Sequence, residues 1–571
     1  SALDRLTAAF GLSPFERDIL VLCAAMELDG TFGSAIAAAG ENGNARPTFG
    51  VALAALPNAH WSALAPHAPL RQWMLVEVDA GATLTTSPIR IDERVLHYLA
   101  GVSHLDRRWS ALVTAVEPPV TDLPPSHTEI AQKIDATLGA IEPTGSPLLI
   151  ELTGNDPSGK KDIAWAVAAS AGLRLYRVNA ADLQVPAAER ELLARLWERE
   201  SILGAAALFI DADDLQADAK RALASFLERV RTLVFAGTRE PLQLPRIRPA
   251  RFEVTKPTFD EQRELWRAAL GPRASQLNGE LDRLPSQFDL SARTIASTVS
   301  VTPASDTAAL WDHCRTNARP RMDDLAKRIT PIAQWDDIIL PQRQVAILRE
   351  LAAHVRQRAV VYEQWGFRSR SARGLGISAL FSGTSGTGKT MAAEVLANEL
   401  HLDLYQIDLS SVISKYIGET EENLRRVFDA AEEGGAILLF DEADALFGKR
   451  TEVKDSHDRY ANIEVSYLLQ RMEAYRGVAI LTTNMKTALD QAFLRRLRFI
   501  IEFPFPDNVQ RADIWRRAFP SSTPVDALDP DKLARLNVPG GTIRNIAMNA
   551  AFLAADAREP VRMTHVLAAA R

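Results

Sequence analysis

The sequence predicts an α/β fold: two tandem P-loop modules, each a parallel sheet flanked by helices with a small helical lid, preceded by a mostly helical, winged-helix-like N-terminal domain. Three observations carry that reading. The apolar run Ile377 to Phe381 feeds a glycine-rich loop, Gly383-Thr384-Ser385-Gly386-Thr387-Gly388-Lys389-Thr390, and a helix is expected from Lys389. Two further apolar runs, Ala436 to Phe440 and Val478 to Leu481, are continuous rather than alternating, as strands buried on both faces must be. They end in Asp441-Glu442 and Thr482-Thr483-Asn484. The same order recurs upstream, where 51 positions separate Lys160 from Asp211, against 52 between Lys389 and Asp441. An internal repeat of the same plan marks a duplication.

Length and composition bound the rest. A chain of 571 residues exceeds one hydrophobic core, and 47% apolar with 24% charged residues describes a soluble multidomain protein. The formal charge of −7 argues against a generally nucleic-acid-binding surface. Two cysteines far apart, Cys23 and Cys314, make neither a disulfide framework nor a zinc pattern and suit a reducing compartment. No apolar run approaches the ~20 residues of a membrane-spanning helix, and Ser1-Ala2-Leu3-Asp4-Arg5 does not read as a signal peptide. The expected location is the cytoplasm.

Residues 1–116 form the expected first domain. Ser13-Pro14 is a helix-start signal, followed by Ile19, Leu20, Leu22, Cys23 and Met26 at helical spacing. A second helical stretch is expected from Val51 to Leu56, short strands over Trp73 to Val78 and Ile89 to Ile91, and a helix over Glu93 to Leu99. Helices with a hairpin fit a winged-helix-like adaptor or a small helical cap. With no Arg/Lys-rich recognition helix, protein contact is the favoured role. The proline-rich stretch 117–126 reads as a semi-rigid, exposed linker.

Residues 127–318 repeat the P-loop plan with its chemistry damaged. The loop is Thr153-Gly154-Asn155-Asp156-Pro157-Ser158-Gly159-Lys160-Lys161. Lys161 stands where a metal-ligating hydroxyl is needed, Ala212 where a base is needed, and Thr232 to Arg239 ends without an amide. Asp156 places an anion in a loop meant for phosphate. Hydrolysis is excluded there, while nucleotide binding stays open because Gly154, Gly159 and Lys160 remain. The charged, polar stretch Arg315 to Thr330 reads as an inter-module linker or helix; a linker is expected over 319–334, then a core domain over 335–505 and a helical lid over 506–571.

In the second module each motif has a physical task. The glycines let successive N–H groups point at one anion, and the helix N-terminus adds positive potential. Lys389 is a point charge for the β- and γ-phosphates, and the Thr390 hydroxyl and Asp441 are candidate Mg²⁺ ligands. Glu442 is placed as general base toward an attacking water and Asn484 as the amide that holds that water. Tyr416-Ile417-Gly418 offers an aromatic ring on a glycine-flanked loop, able to wedge against an extended polypeptide without sequence preference. Between Asp441 and Asn484 lie 43 positions, against 28 between Asp211 and Arg239, so 448–462 reads as an inserted loop, either a second pore loop or a solvated one.

Residues 335–571 resemble an AAA+ ATPase module of the classical type, on Trp335-Asp336-Asp337-Ile338, Gly383 to Thr390, Lys415 to Glu419, Leu438 to Asp444, Thr482-Thr483-Asn484 and Phe493 to Phe499. The resemblance implies ATP and Mg²⁺ as cofactors and a homo-oligomeric ring, a hexamer in the usual case. It also implies a pore loop at Tyr416 and Ile417, and trans-acting arginines at Arg495 and Arg498. It places the backbone around Ile338, and Gly540 and Gly541, near adenine and ribose, and puts a second sensing arginine at Arg544, where a plain helix salt bridge is the alternative. Two departures stand out: Ile339 replaces the usual glycine, and Arg496 leaves open which arginines act.

The whole chain resembles, more specifically, the bacterial two-module ATPases encoded with contractile, phage-tail-like injection systems. The match rests on Leu12 to Asp18, Arg90 to Leu96 and Gly541 to Leu553. The implied function is an ATP-driven ring that remodels, threads or disassembles a protein partner. A nucleic-acid motor or loader and a nucleotide-dependent assembly switch without threading are the rivals. The acidic balance disfavours the first rival, and the aromatic loop at Tyr416 disfavours the second.

Overall fold

Buried parallel strands need helices on both faces, and each half of the chain supplies them in the same order. The computed structural model describes residues 1–33, 46–79, 83–140, 148–213, 215–277, 280–302, 307–323, 325–367, 376–409, 419–443, 456–484 and 494–571. These fall into two compact units, Ser1–Pro257 with Ser291–Arg293, and Thr258–Leu290 with Thr294–Arg571.

In the first unit, helix Pro14–Leu28 opens on a capping box in which Glu16 N–H donates to Ser13 Oγ (3.2 Å) and Ser13 N–H to the Glu16 carboxylate (2.9 Å). The stretch expected as helix from Val51 is helix Phe49–Ala55, capped by Thr48. Strands β1 (Val76–Val78) and β2 (Ile89–Ile91) pair antiparallel and lead into helix Glu93–Leu99. The expected strand from Trp73 is shorter because Met74 turns into the left-handed region (φ 53°) and gives its carbonyl to Arg199 Nη1 at 2.6 Å. The expected exposed linker is also corrected at its end: Pro124 is buried, Leu123 packs on the core, and helix Pro125–Ala140 has begun.

The first sheet contains β3 (Thr114–Ala115), β4 (Leu149–Thr153), β5 (Arg174–Asn179), β6 (Ala206–Ala212), β7 (Val234–Thr238) and β8 (Ala250–Glu253), in the order β8-β4-β7-β6-β5-β3. All neighbours are parallel except the edge strand β3. The N-terminal helices join this sheet through buried charge. Arg94 pairs with Glu200 at 3.0 Å, and Arg199, fully buried, pairs with Asp106 (2.5 Å) and Asp92 (3.2 Å). Trp109 stacks edge-on against Trp197 with centroids 5.0 Å apart.

The second sheet contains β9 (Lys327–Ile329), β10 (Ile377–Ser382), β11 (Leu404–Asp408), β12 (Ile437–Asp441), β13 (Val478–Thr483) and β14 (Phe499–Glu502), in the order β14-β10-β13-β12-β11-β9. Position for position this is the first sheet again. Even the antiparallel edge is repeated, with Ala115 opposite Tyr176 in one sheet and Arg328 opposite Tyr405 in the other.

The expected module 127–318 is divided between the two units: its helices from Thr258 onward gather around a core of their own, with Trp266, Phe288 and Cys314 buried in it, and all but 291–293 group with the second sheet. The expected linker over 319–334 is helix Thr307–Asp323 followed by β9. Its sequence accounts for this. Arg315 and Arg319, one helical turn apart, both reach Asp403, at 3.3 and 2.7 Å, and Met322 is buried in the second core. Gln287 Nε2 donates to the Gly435 carbonyl (2.7 Å), Trp311 Nε1 to the His401 carbonyl (2.9 Å), and Arg476 Nη1 to Asp289 (3.0 Å). The aromatic loop at Tyr416-Ile417 lies outside the described residues, as does most of the inserted loop at 448–462.

The same seam carries a titratable group. Removal of the Glu432 carboxyl from water, reinforced by the nearby Asp289 charge and opposed by Arg471 and Arg476, pushes it up to about 7. A folded-state value above that of the free carboxyl contributes stability fully below the unfolded pKa and loses it as pH rises through 7. The Glu432→Gln chain is therefore expected to match the parent near pH 4.5 and to exceed it by about 1–3 kcal/mol at pH 8. Urea unfolding at the two pH values measures this.

Candidate nucleotide-binding site

The loop after β10 is forced into its shape by close approach. Gly383 has φ 155°, and a Cβ there would lie 2.3 Å from the Phe503 carbonyl oxygen. Gly388 (φ 101°) forms the N-cap of helix Lys389–Leu400, and a Cβ on it would meet nothing within 4 Å. The turn thus presents N–H groups and a helix N-terminus to open space, an anion cradle with room for its ligand.

Lys389 links this loop to the end of β13. Its Nζ donates to the carbonyls of Gly383 (2.6 Å) and Thr384 (3.1 Å) and to Asn484 Oδ1 (2.9 Å). At the end of β12, Asp441 is held on both oxygens. Gln406 Nε2 donates to Oδ2 (2.7 Å), while Glu442 N–H (3.1 Å) and the Thr482 hydroxyl donate to Oδ1. Glu442 adopts the left-handed region (φ 55°) and is exposed, so its carboxylate is free to face a ligand rather than the sheet. The half-buried Thr390 follows Lys389. A hydroxyl and one or two carboxylates, completed by phosphate and water, are the hard-oxygen set that Mg²⁺ takes. Thr390 and Asp441 are the residues that would hold it.

The lid reaches the same loop. Gly541 N–H donates to the Gly386 carbonyl (2.9 Å), and a Cβ on Gly541 would lie 3.0 Å from Gly386 Cα, so a larger residue would push the lid off the P-loop. Gly540 begins helix Gly540–Asp556, and Arg544, its fifth residue, is exposed. Ile338 is buried among the second-core side chains, which leaves only its backbone for any ligand. Of the expected arginines, Arg498 donates to the Tyr362 hydroxyl and lies over its ring, and Arg496 approaches Glu473 at 4.0 Å. Arg495 is exposed, with no partner among the described residues.

The structure brings together Gly383, Gly386, Lys389, Asn484, Gly540 and Gly541. It adds Gln406, which sequence reasoning missed, and gives Thr482 a task. The available signal for Gln406 was a lone amide in the strand Leu404-Tyr405-Gln406-Ile407, two positions before Asp408, which pairs with Asp441.

Residues 379–506 match the family model described as ATPase family associated with various cellular activities (AAA). They form an AAA ATPase domain. Residues 258–320 match the contractile injection system ATPase helical domain, and residues 1–113 a winged helix domain variant. The chain is 34% identical over 209 residues to an uncharacterized AAA family ATPase, y4kL, of Sinorhizobium fredii, covering 36% of this chain and 60% of that one. It is 32% identical over 240 residues to a proteasome-activating nucleotidase of Methanospirillum hungatei (40% and 57%). It is also 27% identical over 255 residues to the cell division cycle protein 48 homolog of Archaeoglobus fulgidus (44% and 34%). The chain thus spans between one third and three fifths of the length of these relatives. The matched helical domain coincides with the helices that the structure seats beside the second sheet.

Fixing through its neighbours a carboxylate that would hold a metal has a measurable consequence. Thr482→Val removes one of the donors to Asp441 and is expected to weaken the Mg²⁺ dependence of nucleotide binding by roughly 10–100-fold. Magnesium titration of fluorescent-ATP binding, with nucleotide affinity in EDTA unchanged, is the measurement.

Proposed function

We propose that the second module hydrolyses ATP with Mg²⁺, and that the chain works as a ring, a hexamer in the usual arrangement of this class, which remodels or threads a protein partner of a contractile injection system. The observation that carries the reading is the Lys389–Asn484 hydrogen bond at an open P-loop against which Gly541 of the lid rests, with Asp441, at the end of β12, held by Thr482 of the neighbouring strand β13. Bound Mg²⁺ would supply charge neutralisation on the phosphates. Lys389 and the loop N–H groups bind and orient the phosphate chain. Asn484 positions a water, and Glu442 accepts its proton. Arg495 is the guanidinium free to serve a neighbouring subunit. Cores over 127–257 and 335–505, with a lid over 506–571, are the working boundaries. Among the described residues no helix is long and apolar enough to cross a membrane, and a cytoplasmic site of action fits the two unpaired cysteines, whose thiols burial pushes up to about 12.

Glu442→Gln keeps every ligand of ATP and Mg²⁺ and removes the base. Turnover should fall ~10²–10⁴-fold with nucleotide affinity preserved, and steady-state turnover equal to the parent would sink the assignment.

Ring formation has its own test. Arg495→Ala chains, with an intact site and no finger, mixed with Glu442→Gln chains, with a finger and a dead site, should recover turnover that neither shows alone. The ~10³–10⁵ contribution of comparable fingers makes the gain easy to see. Stable mixed assemblies with no gain would refute action in trans.

A further inference from the structure

We propose that the first P-loop is closed by its own side chains: the Asp156 carboxylate occupies the anion cradle, Asp213 neutralises Lys160, and the first module carries no nucleotide. The proposal concerns the first unit, and the second loop serves as its internal standard.

The two loops share one frame. Gly154 (φ 124°) and Gly383 (φ 155°) each end a central strand, and a Cβ on either would lie 2.2 or 2.3 Å from the carbonyl oxygen that follows the last strand, that of Val254 or Phe503. Lys160 and Lys389 stand six residues further on, and each donates to the carbonyl of its loop's first glycine, at 3.0 and 2.6 Å.

Within that frame every open feature of the second loop is filled in the first. Lys160 is fully buried, and its other partners are the Thr238 carbonyl (2.9 Å) and the Asp213 carboxylate. At the place of Asp213, two residues after the strand-end aspartate, the second module has Ala443, and Lys389 turns instead to a neutral amide. The buried Lys160 charge is thus spent on Asp213.

Asp156 matches Ser385, which is exposed. Asp156 itself is 1% exposed, and its Oδ1 accepts from Gly159 N–H and from the Ser158 hydroxyl, both at 2.9 Å. A carboxylate therefore holds the N-terminus of helix Pro157–Ser170, where a phosphate oxygen would sit. Pro157, at the place of Gly386, removes a further N–H.

The space is gone as well. A Cβ on Gly159 would lie 2.5 Å from His127 Cε1 and 2.6 Å from Asp156 Oδ2, while the same probe on Gly388 meets nothing. His127 is buried, with Nε2 donating to the Thr255 carbonyl (2.8 Å). What remains between Pro124, His127, Asp156 and Ala292 is room for about one water molecule. Arg293 precedes Thr294-Ile295 as Gly541 precedes Thr542-Ile543. It reaches Asp162 on the helix after the loop at 2.6 Å, so a long charged side chain stands in the sequence position where the second module has a glycine.

The test is binding of ATPγS with Mg²⁺ to the full chain, by equilibrium dialysis on the parent and on Lys389→Ala. One nucleotide per parent chain is expected, and none on Lys389→Ala. In thermal unfolding, saturating ATPγS should leave every transition of Lys389→Ala unshifted. Two nucleotides per parent chain would overturn the proposal. So would binding or a thermal shift in Lys389→Ala that is lost on adding Lys160→Ala. A parent chain that binds nothing would leave the first loop closed as proposed and refute instead the reading of the second module as an ATPase, so the two failures are distinguishable.

Discussion

A helix that starts at the end of a strand leaves its first N–H groups without intrahelical partners, and those donors must be satisfied by something. Most of what separates the two halves of this chain follows from that constraint. In the second half the turn before Lys389 is lined by glycines, no side chain of the described residues fills the space at Gly388, and a ligand is the natural partner. In the first half Asp156 is placed one position before a proline and caps the helix from within. A capping carboxylate is part of the chain and is present at every moment. The first turn therefore gains permanent order and loses the differential affinity through which a nucleotide shifts a conformational equilibrium.

The edges of the two sheets obey a second shared rule. An edge strand exposes unpaired backbone groups, and each sheet covers β5 or β11 with a short antiparallel strand from the preceding segment. What precedes that strand differs. In the first unit it is the N-terminal domain, fixed through Arg199, Asp92, Asp106 and the Trp109–Trp197 contact. In the second it is the helical segment ending at Asp323, fixed through Asp403, Gly435 and Met322. Both joints are rich in buried polar groups. Removing one member of such a pair strands the other, so joints of this kind are specific and intolerant of substitution. Their similarity means that a core of this type comes with a docking face beside its second strand, which the chain fills with whatever element stands upstream.

The sheet strands and the open P-loop were legible in the sequence because continuous apolar runs and glycine spacing report local constraints. Ile377 to Phe381 and Val478 to Leu481 became β10 and β13, each extended by one or two polar residues that still pair. What was not legible is long-range partnership. The helices after Thr258 are amphipathic, and an apolar stripe says that a face is buried without saying against which sheet. The shortened strand at Met74 depends on Arg199, 125 residues away. The closing of the first loop was half visible: Asp156 could be read as hostile to phosphate, but Asp213 follows the expected acid by two residues and shows its role only when β6 brings it to Lys160. Gln406 was missed for the same reason, since its partner Asp441 lies on the neighbouring strand.

The arginines after β13 show how local bonding sorts residues that the sequence presents as equals. A guanidinium that is to act on another subunit has to be exposed, and it loses less on reaching out if it leaves no bond behind. Arg498 is bonded to the Tyr362 hydroxyl and lies against its ring, and a hydrogen bond to a charged group contributes roughly 1.5–3 kcal/mol. Arg496 lies at the limit of an ion pair with Glu473. Arg495 pays no such cost. The backbone supports the same order, because Arg498 N–H donates to the Ser378 carbonyl (3.1 Å) and so anchors the segment to β10, the strand that carries the P-loop. Arg498 thus also holds the turn in register with β10, and Arg495, three residues earlier and exposed like Arg496 and Arg498, differs from them in having no partner among the described residues.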